Sequence, residues 1–205
     1  MNRIEEKLTL LKEKNKKAFI TYTTAGLPDL EGTKKLIRAQ EEARVDLIEL
    51  GVPFSDPVAD GPVIQNASYQ AICKGVTLKK VFHTVEQMRA EGIQLVSPVS
   101  GKRIPKILEH ARGFVYCVSS MGETGQAASF HKEVISYLTQ VKQVSKIPVM
   151  MGFGIREAQD VAPMKDIIDG AIVGSHFITL LEENNFSTIA ATNYCNKFKQ
   201  DLNNL

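Results

Sequence analysis

Six short runs rich in β-branched and aromatic residues alternate with helical segments, and this alternation limits the possible folds most strongly. The runs predict buried strands at residues 18–24, 46–52, 93–99, 113–119, 147–153 and 170–175. Between them, apolar residues recur at helical spacing, for example in residues 81–88, 104–108 and 134–141. Apolar strands joined through helices indicate an α/β protein with a parallel sheet, either covered on both faces or closed into a barrel.

Composition limits the domain count and the partners. With 205 residues, 43% of them hydrophobic, the chain predicts one domain spanning residues 1–205. The net charge of +2 and a lysine-rich helix end at residues 12–17 do not predict nucleic-acid binding. The tail from residue 177 to 205 predicts a helix with a frayed end.

The cellular location and the metal content can be predicted from hydrophobic run lengths, the opening residues and the cysteine spacing. No run is long enough to span a membrane, and the charged, helical opening residues argue against a signal peptide. The three cysteines are widely spaced, which predicts neither a disulfide framework nor a zinc site. We therefore expect a cytoplasmic protein without a metal.

The second predicted strand ends in an acidic, proline-stiffened loop, within LIELGVPFSDPVADGP. Glu49 lies among apolar neighbours, which would raise its pKa and suit it to proton transfer, although it could also face solvent or pair with a lysine. Asp60 could bind a substrate N–H or O–H, or cap the helix that begins near Pro62. Asp56 has the same two interpretations.

Glycines mark the ends of the last predicted strands. Gly154 follows the fifth strand, and the sixth strand ends in Gly174 and Ser175. Each glycine alone is typical of a turn or a helix cap, whereas together they favour a phosphate site built from backbone N–H groups. His176 lies beside that predicted site, while His83, His110 and His131 fall in helical patterns without a paired nucleophile.

Four motifs, in this order, carry a family resemblance: LIELGVPFSDPVADGPVIQ, GFVYCVSSMGETG, PVMMGFGI and GAIVGS. They resemble the tryptophan synthase alpha subunit family, whose fold is a TIM (βα)8 barrel. The resemblance implies retro-aldol cleavage of indole-3-glycerol phosphate to indole and glyceraldehyde 3-phosphate, with no metal or organic cofactor. It also implies a tryptophan synthase beta subunit as partner, in an alpha2beta2 complex, with residues 53–60 facing it.

The resemblance also implies roles for individual residues. Glu49 would be the catalytic acid and base, and Asp60 would hold the indole N–H and its developing positive charge. The indole pocket would be lined by Tyr22 and Tyr116. The remaining substrate-binding residues would be Gly122 and Thr124 in a mobile loop, and Gly154, Gly174 and Ser175 at the phosphate.

The chain has six strand candidates where the family has eight. The family resemblance places the third and fourth βα units after residues 90–94, whereas here the motifs on either side of residues 94 and 95 follow each other directly. Two βα units are therefore expected to be missing between Gln94 and Leu95. An alternative function follows from that gap: a catalytically silent barrel fragment that binds and activates a beta subunit.

Overall fold

A computed structural model describes residues 2–56, 60–93, 96–97, 113–117, 127–152 and 154–205, with the backbone alone for residues 96–97 and 127–133. Strands and helices alternate along these residues. The strands are β1 (Ala18–Thr24), β2 (Leu47–Gly51), β3 (Val96–Ser97), β4 (Val115–Cys117), β5 (Val149–Met151) and β6 (Gly170–Val173). The α-helices are α1 (Arg3–Glu13), α2 (Leu30–Glu42), α3 (Pro62–Cys73), α4 (Leu78–Ala90), α5 (Ala127–Val144), α6 (Ser175–Glu183) and α7 (Thr188–Asn203).

All six predicted strands are confirmed, and they form one parallel sheet in the order β3-β2-β1-β6-β5-β4. The bounds of β1 match the prediction, and the other five strands are shorter than predicted within the described residues. Tyr22 pairs with Glu49 across the β1–β2 ladder. The predicted helix at residues 104–108 and the junction between Gln94 and Leu95 lie outside the described residues.

Apolar side chains cover both faces of the sheet, because alternate residues of a strand point to opposite faces. On the inner face, Ile20, Leu47, Met150 and Ile172 form a cluster with Leu8 and Leu11 of α1. The outer face packs against the surrounding helices in a second, larger cluster. This two-sided burial is the pattern of a barrel wall, with α1 closing the end at which the strands begin.

The chain has the α/β fold of the TIM (βα)8 barrel, as predicted, and six parallel strands lie in the described residues. In the described residues, β3 and β4 stand at the two ends of the strand order, and no ladder between them is recorded. None of the helices described is long and apolar enough to cross a membrane.

The prediction of one helix over residues 177–205 is wrong, because two helices occupy that tail. Asn185 and Phe186 adopt left-handed conformations, with φ of 50° and 55°, which end α6. Ser187 then caps α7 by accepting a hydrogen bond from the Ala190 N–H at 3.4 Å.

Gly170 occupies a position in β6 where a methyl group does not fit. A Cβ there would lie 2.5 Å from the Ala18 carbonyl oxygen and 2.6 Å from Met150 Sδ. We expect Gly170→Ala to lower the free energy of unfolding by about 1–3 kcal/mol, as overpacking does, in a denaturant titration. Gly61→Ala is the control and should cost less stability, because Gly61 has a φ of −73° and no described atom lies within 4 Å of an added Cβ. Equal stability of Gly170→Ala and the unmodified chain would contradict this packing.

Candidate active site

Three polar side chains, those of Tyr22, Glu49 and Tyr116, lie on the inner face of the sheet near the ends of their strands. Tyr22 and Glu49 are ladder partners, so both point to the same side, and Tyr22 continues the inward series of Ala18 and Ile20 in β1. Tyr116 pairs with inward-facing Met150. In parallel α/β folds, ligands bind at this carboxyl end of the strands.

Glu49 is a buried carboxyl group without a partner among the described residues. The residue is 8% exposed, and its Oε1 atom makes no hydrogen bond to any part of the chain that the structure describes. Burial disfavours the ionised form and raises the pKa of Glu49 to about 7. The structure therefore supports the first interpretation of Glu49, a buried carboxyl group with a raised pKa, over a carboxylate that faces solvent or pairs with a lysine.

Asp46 lies just before the same strand and shows how a structural carboxylate is satisfied. It is 3% exposed, accepts a hydrogen bond from the Phe19 N–H at 2.8 Å, and pairs with Lys199 of α7. Lys7 approaches its other oxygen at 3.4 Å. Because Glu49 has no such arrangement, its burial has no comparable structural compensation.

Each of the two tyrosines extends over a glycine at the end of the strand next to its own. A Cβ added to Gly51 would lie 2.0 Å from the Tyr22 hydroxyl, and one added to Gly152 would lie 2.6 Å from the Tyr116 hydroxyl. Burial raises the pKa of Tyr22 to about 12 and also raises the pKa of Tyr116, and nearby Glu49 and Asp60 raise both further. Both phenols therefore stay protonated at neutral pH, beside the two carboxyl groups.

Asp60 lies at the mouth of this site. Its side chain is largely exposed, and partial burial raises its pKa. The helix-capping interpretation is not supported, because the N-cap of α3 is Gly61 and no side-chain hydrogen bond caps that helix. Asp56, on the same loop, is exposed as well.

Thr24 is a candidate that sequence reasoning named only as a small residue at a strand end. It is 1% exposed and has the inward parity of Tyr22, and its hydroxyl has no partner in hydrogen-bond geometry among the described residues. The hydroxyl is still close enough to Tyr22 to lower the pKa of that phenol, against the larger raising effect of burial. By contrast, outward-facing Thr21 donates to Gln40 at 2.6 Å. The alternation of residues along β1 could have predicted that Thr24 faces inward. Only the structure shows that its hydroxyl lacks a hydrogen-bond partner in that part of the chain.

The predicted phosphate residues follow two adjacent strands. Gly154 comes after β5 and has a φ of +66°, and no atom of the described residues lies within 4 Å of an added Cβ. Gly174 is the N-cap of α6, without a side-chain cap, and Ser175 begins that helix. A Cβ on Gly174 would lie 3.8 Å from Tyr22 Cβ, so this corner adjoins the tyrosine and carboxyl group. Exposed N–H groups at a helix start suit a phosphate.

The structure describes only some of the other predicted residues. Gly122 and Thr124 lie outside the described residues. His176, in the first turn of α6, is partly buried with its ring centroid 5.6 Å from that of Tyr194. Over the described part of the chain, no group of three His, Cys, Asp or Glu side chains could hold a metal ion.

This arrangement can exchange a proton near neutral pH while it binds a polar, partly aromatic molecule. A carboxyl group with a pKa near 7 works both as an acid and as a base. The tyrosines offer aromatic surface and hydroxyl donors, and the glycine corner offers backbone N–H groups.

Comparison with known proteins identifies the family of this chain. The family model for the tryptophan synthase alpha chain matches residues 8–94 and, separately, residues 90–205. An alpha chain from Lachnospira eligens is 51% identical over 263 aligned positions, which cover 99% of this chain and 100% of the relative. One from Alkaliphilus metalliredigens is 34% identical, with 89% and 90% covered.

Solved structures agree with the sequence comparisons. The tryptophan synthase subunit alpha of Legionella pneumophila superimposes with a TM-score of 0.81 at 26% identity, covering 100% of both chains. A tryptophan synthase structure from Mycobacterium tuberculosis gives 0.82 at 25% identity, with 98% of both chains covered.

Proposed function

Because the chain belongs to the tryptophan synthase alpha chain family, and hence is a lyase of tryptophan biosynthesis, we propose that it cleaves indole-3-glycerol phosphate. The products are indole and glyceraldehyde 3-phosphate, and no metal or organic cofactor takes part. The observation that carries this proposal is the buried, unpartnered Glu49 carboxyl group with a pKa of about 7. Indole release by the purified chain tests it, and the absence of indole with a beta subunit present would contradict it.

Glu49 moves the protons of the reaction. Its carboxyl group gives a proton to indole C3, and the resulting carboxylate takes the proton of the glycerol hydroxyl next to the ring. The carbon–carbon bond then breaks, its electron pair returns to the indole ring, and the hydroxyl carbon becomes the aldehyde. A pKa near 7 supports both directions of transfer at neutral pH.

The surrounding residues bind the substrate. Asp60 holds the indole N–H, and its negative charge stabilises the positive charge that develops on the ring. Tyr22 and Tyr116 line the indole pocket, and Gly154, Gly174 and Ser175 bind the phosphate. Gly122 and Thr124 belong to the loop that closes over the substrate, a role that rests on the family resemblance.

The partner in this proposal is a tryptophan synthase beta subunit, in an alpha2beta2 complex in the cytoplasm. The loop at residues 53–60 faces that subunit. Phe54 on this loop is 63% exposed and Tyr69 on α3 is 68% exposed, which supports a protein contact near the site.

We further propose that residues 1–205 form one barrel domain that lacks two βα units between Gln94 and Leu95. The family model matches in two parts that share residues 90–94. The alignment with the Lachnospira eligens relative has 263 positions and this chain 205 residues, so at least 58 positions have no residue here. Two typical units account for about 60 residues. No comparison favours the silent-fragment alternative.

Thr24 gives a separate prediction, because its unpartnered hydroxyl faces the proposed pocket. We expect Thr24→Val to keep or raise the free energy of unfolding, by up to about 1 kcal/mol, and to lower kcat/KM about tenfold. Thr21→Val is the matched control: it breaks the 2.6 Å bond to Gln40 and should cost about 1–2 kcal/mol of stability. If Thr24→Val instead loses stability and keeps its activity, the hydroxyl has a structural role.

A further inference from the structure

Tyr194 of α7 contacts both of the segments that form the glycine corner. Its hydroxyl donates a hydrogen bond of 2.7 Å to the carbonyl oxygen of Arg156, two residues after Gly154 in the loop that follows β5. Its ring centroid lies 5.6 Å from that of His176, the residue after Ser175 in the first turn of α6. One side chain therefore bridges the loop after β5 and the start of α6.

The ring of Tyr194 is held by other aromatic rings. Its centroid lies 5.6 Å from that of Phe177 and 5.9 Å from that of Phe198, and both of these residues are buried. Phe198 in turn stacks on Phe19 of β1 with the centroids 4.3 Å apart. Such ring pairs have preferred geometries and add to the packing energy. The hydroxyl of Tyr194 is thus carried by a side chain whose position is fixed relative to the sheet.

The peptide groups next to Arg156 are held by side chains on both sides. Asp160 accepts hydrogen bonds from the Arg156 N–H at 2.7 Å and from the Glu157 N–H at 3.0 Å. Tyr194 holds the Arg156 carbonyl oxygen from the other direction. Burial raises the pKa of the Tyr194 phenol, and nearby ionisable groups raise it further, so the hydroxyl keeps its proton and remains a donor at neutral pH.

The loop needs such contacts because it begins at a glycine. Gly154 has a φ of +66°, and glycine loses more backbone freedom on ordering than any other residue. Backbone N–H groups bind an anion best when they are ordered before it arrives, since the ordering cost is then not charged to binding. A contact that fixes this loop relative to α6 would therefore strengthen phosphate binding without touching the phosphate.

We propose that Tyr194 is a positioning residue for the phosphate group of the substrate. It holds the backbone that follows Gly154 at a fixed distance from the start of α6, so that the N–H groups of both segments converge on one phosphate. The inference rests on the proposed function, because it takes the glycine corner as the place where the substrate phosphate binds.

The test uses the full chain and Tyr194→Phe, which keeps the ring and removes the hydroxyl. Calorimetric titration with inorganic phosphate should give a dissociation constant about fivefold to tenfold higher in the variant, the effect of one hydrogen bond. Binding of indole, which has no phosphate, should stay the same. In steady-state cleavage KM should rise by a similar factor while kcat changes little, because Glu49 and Asp60 are unaltered.

Tyr137→Phe is the matched control. Tyr137 is a partly buried tyrosine of α5 whose hydroxyl contacts the side chain of Cys117 rather than the loop after β5. Its replacement should leave the binding of both phosphate and indole unchanged.

Three results would overturn the proposal. They are equal phosphate affinity in Tyr194→Phe and the unmodified chain, equal losses of phosphate and indole binding in the variant, and no phosphate binding by the unmodified chain. Phosphate binding is measured without reference to indole release. A chain that binds phosphate in a Tyr194-dependent way but releases no indole would count against the proposed function and leave the role of Tyr194 intact.

Discussion

Replacing Glu49 with Gln is expected to lower indole release by about 100- to 10,000-fold, the contribution that a positioned acid and base makes. The amide is close in shape to the carboxyl group but cannot transfer the proton. Because Glu49 acts mainly in the transition state, its replacement should change substrate binding little. The value of kcat should therefore fall while KM stays similar. Steady-state kinetics on the purified variant measure both constants.

The same substitution is expected to stabilise the protein. The pKa of Glu49 is about 7 in the folded chain against an ordinary value of 4.5, a difference of about 3 kcal/mol. Between those pH values the folded state holds a proton that the unfolded state has released, so stability falls as pH rises from about 4.5 to 7. Gln does not titrate, so Glu49→Gln should gain up to about 3 kcal/mol relative to the unmodified chain above pH 7, an advantage absent below pH 4.5.

Glu86→Gln provides the control, because Glu86 is an exposed residue of α4 with 78% of its side chain accessible. It should change neither the kinetics nor the pH dependence of unfolding. Loss of activity in Glu49→Gln together with loss of stability would instead indicate a structural carboxyl group like Asp46.

Asp60→Asn should lower kcat/KM by about 100-fold or more, the usual cost of removing one electrostatic contact to a transition state. The amide can still accept a hydrogen bond from the indole N–H, but it carries no negative charge. The loss should therefore appear mainly in kcat, where the ring charge develops. Stability should change little, because Asp60 is largely exposed and caps no helix.

Asp56→Asn is the matched control for Asp60→Asn, since both residues are exposed on the loop after β2. It should leave cleavage by the isolated chain unchanged. Equal losses in the two variants would show that the loop needs net negative charge, which would contradict a specific contact from Asp60.

The strands and the environment of Glu49 could be predicted from the sequence because both depend on local composition. Apolar runs predicted all six strands, and the apolar neighbours of Glu49 gave a raised pKa as one of two interpretations, the one that the structure supports. The two-helix tail could not be predicted this way. Its break depends on left-handed backbone at Asn185 and Phe186, and Phe gives no signal for that conformation.

Contacts between distant residues also required the structure. The closeness of the Tyr22 hydroxyl to Gly51 and of the Tyr116 hydroxyl to Gly152 depends on strand order and register. The hydroxyl of Thr24, which has no partner among the described residues, is a property of the packed structure. Local sequence patterns predict which residues are buried, but not which buried atoms lack partners.

The measurement that tests the central claim most directly is indole release from indole-3-glycerol phosphate as a function of pH, for the unmodified chain and for Glu49→Gln. The account predicts indole release by the unmodified chain with an inflection near pH 7, and a rate at least 100-fold lower in the variant at every pH. Release of indole by the variant at an undiminished rate would contradict the role of Glu49.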